Sequence, residues 1–256
     1  MSMKRRGAWI AVAALALAPL SEAQARGGRM PDIRGTWAQV QVTTAKTELP
    51  VIGTLETTTT SLLITEIERE GTDYVLTEQV CQIDLTGGSD AVQTVISEAF
   101  ARGVSGQKRT IKWFRDGDSL RYEQPKSWRA SGVATKDASR VKLPTSPDDP
   151  RVRDSDEDGH PGLTVKIRGV VDGEIYVAER SWSVLSGKMN GRGELHGVIK
   201  WYSEQSVLEA TSIFLSDPPA SVPTTSKRQN YFRMRKMAEG AGCADAKKLR
   251  KQLLRP

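Results

Sequence analysis

Beyond residue 30, apolar and polar residues alternate with a period near two, in short runs broken by Gly, Pro, Asp, Asn and Ser. Such alternation marks half-buried strands joined by turns. The runs fall at 33–44, 58–69, 73–85, 109–114, 119–124, 163–170, 174–185, 194–204, 207–214 and 230–236. In the third, Val75, Thr77, Gln79, Cys81, Ile83 and Leu85 share one face, and Tyr74, Leu76, Glu78, Val80, Gln82 and Asp84 share the other. Turn residues separate neighbouring runs at Glu70-Gly71-Thr72, Asp116-Gly117-Asp118, Val171-Asp172-Gly173 and Asn190-Gly191-Arg192-Gly193. Gly, Asn and Asp tolerate the positive φ that tight hairpins need. The pattern predicts an all-β fold, an antiparallel meander or a closed barrel, closure being one way to remove exposed strand edges.

Two segments follow a different period. Val92, Val95, Ile96, Ala99 and Phe100 recur at helical spacing, which predicts a short amphipathic helix over 91–102 packed on the sheet. A second short, basic helix is expected over 246–254, with Asp245 as its N-cap. Two stretches, 125–162 and 216–229, read as long surface loops. Loops of that length are commonly functional or disordered.

The N-terminus reads as a leader. Lys4, Arg5 and Arg6 precede an uncharged apolar run from Gly7 to Leu20, and Ala23 and Ala25 supply the small residues of an A-x-A cleavage site. The run is shorter than the ~18–20 residues that span a bilayer. Residues 1–25 are therefore expected to be a cleaved signal peptide, and residues 26–256 a single β domain, periplasmic or secreted. No later segment is apolar enough to predict a transmembrane helix. Removing the leader leaves 34 basic and 30 acidic residues, a net charge of +4. That is too mild for a nucleic-acid binder, which concentrates basic residues on one face.

An exported location changes the reading of the cysteines. Cys81 and Cys243 are the only two, and in an oxidising compartment they are expected to pair. Such a bridge would stabilise the fold by up to about 5 kcal/mol in the chain-entropy model. Two free buried thiols are the alternative.

The sharpest motif is Asp154-Ser155-Asp156-Glu157-Asp158-Gly159-His160-Pro161-Gly162. Carboxylates at positions one, three and five of a tight loop converge on one point, and the glycine at position six permits the turn. The backbone carbonyl at position seven, here His160, adds another oxygen. The predicted cofactor is calcium, held by Asp154, Asp156, Asp158 and His160, with a solvated acidic turn as the alternative. Position twelve is Val165 rather than a bidentate Glu, so a further ligand would have to come from elsewhere. Asp148, Asp149, Asp172 and Glu174 are the nearest candidates. With few ligands the expected Kd is ~10⁻⁴ M or weaker. At ~1 mM calcium, binding of that strength adds about 1.4 kcal/mol to stability.

The motif resembles the aspartate-rich loops of thrombospondin type 3 repeats and other EF-hand-like extracellular calcium loops. The second half of the chain is also similar to exported bacterial β-rich proteins that carry a D-x-D-x-D-G-x-P-G loop. Gly35-Thr36-Trp37, at the first strand, resembles the G-x-W opening of lipocalin-like barrels, which implies a Trp at the base of the barrel. The expected fold class is thus all-β, lipocalin-like, with one or two short peripheral helices.

Other chemistry is sparse. Only His160 and His196 could serve a histidine-dependent triad, and no G-x-S-x-G surrounds a serine. Glu66, Glu68, Glu78, Glu179 and Glu204 fall in strands, where a wet face is their ordinary place. His196, Lys200, Tyr202 and Glu204 share one strand face, read either as exposed or as lining a polar interior. Most of the tryptophans Trp37, Trp113, Trp128, Trp182 and Trp201 are expected in the core. The chain reads as an exported non-catalytic binding protein for a small apolar ligand or a cell-envelope component. An exported hydrolase using paired carboxylates or calcium, and a structural envelope protein, are the alternatives.

Overall fold

The computed structural model describes residues 30–49, 53–87, 92–169, 172–217 and 219–255. The expected leader lies outside them. Eleven strands and two helices follow in the order β1 (Gly35–Leu49), β2 (Gly53–Glu70), β3 (Asp73–Gly87), β4 (Val92–Ile96), α1 (Glu98–Gly103), β5 (Gln107–Asp116), β6 (Ser119–Ser131), β7 (Leu163–Gly169), β8 (Gly173–Met189), β9 (Leu195–Ala210), β10 (Ser221–Pro223), β11 (Tyr231–Lys236) and α2 (Cys243–Leu254). The strands pair antiparallel, and β8-β6-β5-β3-β2-β1-β11-β9 returns to β8 as a ring. The start of β8 also carries β7, and β7 carries β4. The mainly antiparallel, all-β expectation holds.

Alternation along the strands divides the ring into an inside and an outside. Trp37, Ile67, Leu76, Ile111, Tyr122, Leu185, Phe232 and Met234 pack together at one end of the interior. The indole N–H groups of Trp37 and Trp113 donate to the carbonyls of Ile33 (2.8 Å) and Pro31 (3.1 Å), tying residues 31–33 across that end. Gly187 and Gly197 are cross-strand partners, and the ring of Phe232 lies against both. A Cβ on Gly197 would sit 2.1 Å from the Ser186 carbonyl and 2.7 Å from the Phe232 ring, so no side chain fits there.

Outside, Ala246 and Leu253 of α2 cover Ala38, Val40, Leu62 and Ile64. The Cys81–Cys243 disulfide joins β3 to the first residue of α2 across 162 positions. At the start of α2 the N-cap is Gly242 rather than Asp245. Asp245 lies three residues further on and accepts the Gly242 amide at 3.2 Å.

Several features differ from the sequence pattern, among them a short strand, β10, inside the loop expected over 216–229. The segment 91–102 is not one helix: Val92–Ile96 pairs with β7, and α1 begins only after Ser97, whose hydroxyl caps the Phe100 amide at 2.9 Å. The loop expected from 125 starts after Ser131, because the β6–β8 register shifts between Gln124 and Ser127. Pro125, which lacks an amide hydrogen, falls in that irregularity, the setting where a strand tolerates proline. In β3 the two-residue period breaks where the β2–β3 register shifts between Leu62 and Leu63, so Val80 and Ile83 pack in one cluster. The runs at 194–204 and 207–214 merge into β9 as far as Ala210, followed by a single 3₁₀ turn at Ile213–Leu215.

Candidate metal centre

The aspartate motif sits at the tip of the loop that leaves β6 and returns as β7. Its neck is held by backbone bonds from Arg153 N to Gly132 O (3.1 Å), Ser155 N to Gly162 O (2.8 Å) and Gly162 N to Arg153 O (3.0 Å). Gly162 has φ 90°, and a Cβ there would lie 2.4 Å from the Val177 carbonyl of β8. Gly103, at the end of α1, leaves room for the Ser155 carbonyl in the same way. Helix, strand and loop therefore meet at the base of the motif. Within it the chain coils tightly: Glu157 takes φ 58° and Gly159 φ 90°.

This coil brings Asp154, Asp156 and Asp158 together, with one carboxylate oxygen from each within 4.8 Å of the others. Oxygens 2.3–2.6 Å from a single calcium ion lie up to about 5 Å apart, so the three fit one ion. Backbone amides already organise them. Asp154 accepts from Asp158 N (3.3 Å) and Gly159 N (2.9 Å), and Asp158 accepts from His160 N (3.0 Å). Asp156 accepts from Thr164 N through Oδ2 at 3.0 Å.

Asp156 is the unusual member. It is only 2% exposed, and its Oδ1 is buried without a hydrogen-bond partner among the described residues. The hydroxyl of Thr164 is buried and unpartnered as well. A buried charged oxygen without a donor is costly unless a cation meets it. Burial, with the charges of Asp158 and Asp154 adding to it, pushes the Asp156 carboxyl above its ordinary pKa despite the Thr164 amide. For Asp154 burial acts in the same direction, but the amides of Gly159, Asp158 and Glu157 hold its carboxyl below the usual range.

The other carboxylates considered from the sequence are occupied or lie apart. Asp149 binds Arg151, Glu174 binds Lys166 and Tyr176, and Asp172 accepts the Gly169 amide. Asp148 is not part of the cluster. The His160 ring stacks on Tyr176 with centroids 4.4 Å apart, and its nitrogens are not among the clustered ligand atoms, so any share it has in a metal site falls to its carbonyl.

A second polar group lies inside the ring, beyond the apolar end. Glu78 and Arg109 form an ion pair at 3.0 Å, each side chain 7% exposed, and Gln41 donates to the same carboxylate. Glu179 accepts from Arg129 and Gln205. Gln39 Nε2, Arg109 Nη1 and Gln124 Nε2 are buried without partners. The alternation of β3 and β8 could have assigned Glu78 and Glu179 to a face, but not shown which face closes inward. His196, Lys200, Tyr202 and Glu204 lie on the outside of the ring, since their neighbours Ile199 and Trp201 pack inward. Trp37 and Trp113 are core residues and Trp201 packs against them, whereas Trp128 and Trp182 belong to no core cluster.

The chain matches no protein-family model, no curated protein and no solved structure. Its own geometry therefore carries the functional reading.

Proposed function

We propose that this chain is an exported, non-catalytic binding protein whose 132–162 loop is clipped to the strand ring by calcium. The observation that carries the metal is the buried, unpartnered Oδ1 of Asp156 beside the carboxylates of Asp154 and Asp158. All the ligands are hard oxygens, the donor class calcium prefers. The loop neck also touches both α1 and β8, so an ion here would fasten three elements at once. The Cys81–Cys243 bridge is consistent with an oxidising compartment. The non-catalytic reading is supported by the inward carboxylates Glu78 and Glu179, each already held by an arginine rather than left as a free acid–base pair.

Thermal unfolding of the purified protein in 1 mM calcium and in chelator tests the clip. A Kd of ~10⁻⁴ M corresponds to a rise in Tm of about 3–6 °C for a chain of this size. Asp156→Asn should abolish the difference. Identical transitions in calcium and chelator would overturn the proposal.

A further inference from the structure

The outside of the ring carries two side-chain rows that strand register sets side by side. Trp128, Trp182 and Tyr202 are consecutive cross-strand partners on β6, β8 and β9. The two indoles meet edge to face at 6.4 Å, and Tyr202 is 37% exposed. Six residues further along β8, Lys188, His196 and Arg233 are consecutive partners on β8, β9 and β11. At about 3.3 Å per residue the rows lie roughly 20 Å apart on one continuous face. Lys200 stands between them, opposite Val184.

The charge on this face is not balanced from within. Glu204 is taken by Arg180, and Glu194 by Arg235. Glu123 remains, whereas Lys126, Lys188, Lys200 and Arg233 have no carboxylate within ion-pair distance among the described residues. Lys126 lies over both indoles, 4.2 Å from the centre of Trp182 and 5.0 Å from that of Trp128. An anionic group entering the aromatic row thus meets a cation at the rings themselves. At the far row, burial of its ring and then the charges of Lys188 and Arg233 pull the His196 pKa down, with Glu194 opposing.

We propose that this outer face binds a linear anionic polysaccharide laid along β8 and β9, with a sugar ring at the Trp128, Trp182 and Tyr202 row and acidic groups paired with Lys126, Lys200, Lys188 and Arg233. A chain laid along the strands crosses both rows within roughly 20 Å. Aromatic side chains offer sugar C–H faces a flat apolar surface, and the cations that lack a carboxylate supply the complementary charge. A small apolar ligand would leave those cations without a counter-charge. The inference rests on the reading of the chain as an exported binding protein and names the class of its envelope partner; it does not depend on calcium.

The test is affinity electrophoresis of the purified protein through gels containing hyaluronate, polygalacturonate or heparin, with dextran as the neutral control. Sedimentation with phosphatidylglycerol vesicles runs in parallel. At least one polyanion, but not dextran, should retard the protein, and the retardation should weaken as salt rises. Lys188→Glu with Arg233→Glu, and separately Trp182→Ala with Tyr202→Ala, should weaken binding at least fivefold while the thermal transition stays cooperative. Trp182→Phe should restore most of the loss. Retardation by no polyanion, equal retardation by dextran, binding that both double variants leave intact, or capture by vesicles alone would each overturn the inference. A lost polyanion response with the calcium-dependent transition intact defeats only the polysaccharide proposal, since the clip is read from the thermal shift.

Discussion

Glu78 and Arg109 face each other inside the strand ring, from β3 and β5, with Nε and Oε2 3.0 Å apart and both side chains almost wholly out of water. Tyr122, fully buried nearby, has its phenol pushed far above its ordinary pKa, mainly by that burial and then by the Glu78 charge. The pair sits in the polar middle of the interior, where neither charge has another charged partner among the described residues.

Removing one member leaves the other charged and unpaired in a low-dielectric setting. Arg109→Met or Glu78→Gln alone should destabilise the fold by about 3–5 kcal/mol. The double substitution should cost clearly less than the sum of the two. Urea unfolding of all four proteins checks this as a double-mutant cycle.

The Cys81–Cys243 bridge ties α2 to β3 across most of the chain. Replacing both cysteines with alanine should lower stability by about 2–5 kcal/mol. Amide exchange should rise first in α2, because Ala246 and Leu253 anchor it by a small apolar contact. Hydrogen exchange with the bridge intact and absent measures the effect.

Gly197 has no room for a side chain beneath Phe232. Gly197→Ala should cost about 1–3 kcal/mol through overpacking, visible as a lower urea midpoint with an unchanged slope.

His196 gives a pH dependence with a definite sign. Its folded pKa is lowered from 6.5 by burial and by Lys188 and Arg233, with Glu194 opposing. Below about 6.5 the unfolded chain therefore binds the proton more readily than the folded one. The neutral-His contribution is present above that pH and is lost as pH falls through 6.5 toward the folded value. Between pH 7.5 and 5.5 the wild type should lose stability relative to His196→Asn, as measured by thermal melts across that range.

Much of the architecture was legible in the alternation of residues. Every predicted run overlaps an observed strand and five lie wholly within one, because a face-to-face alternation such as Leu76, Thr77, Glu78 has few other ways to bury its apolar members. The departures share a cause. At 92–96 the residues Val92, Val95 and Ile96 satisfy helical spacing, but β7 offers an open edge, and pairing with it decided the matter. Pro125 looked like an end of strand because a register irregularity is invisible until a partner strand is known.

The candidate metal centre divides in the same way. Local sequence was enough to converge Asp154, Asp156 and Asp158, since the spacing and Gly159 act within nine residues. It could not indicate that Asp156 is buried while its two companions stay exposed, because that follows from the packing of the loop neck on β8 and α1. The row Trp128, Trp182 and Tyr202 was beyond the sequence altogether. Its members come from three strands, and only the registers of β6 on β8 and β8 on β9 place them together.

The sequence by itself determined an antiparallel strand pattern, its main turns, a three-aspartate loop and the two cysteines able to pair. Each of these depends on period, on turn chemistry or on residue count. Tertiary structure alone decided which face of each strand points inward, and with it which charges are buried in pairs and which tryptophans lie outside. Alternation sorts side chains into two sets, but only closure of the ring distinguishes the set that is sealed from the set that meets solvent.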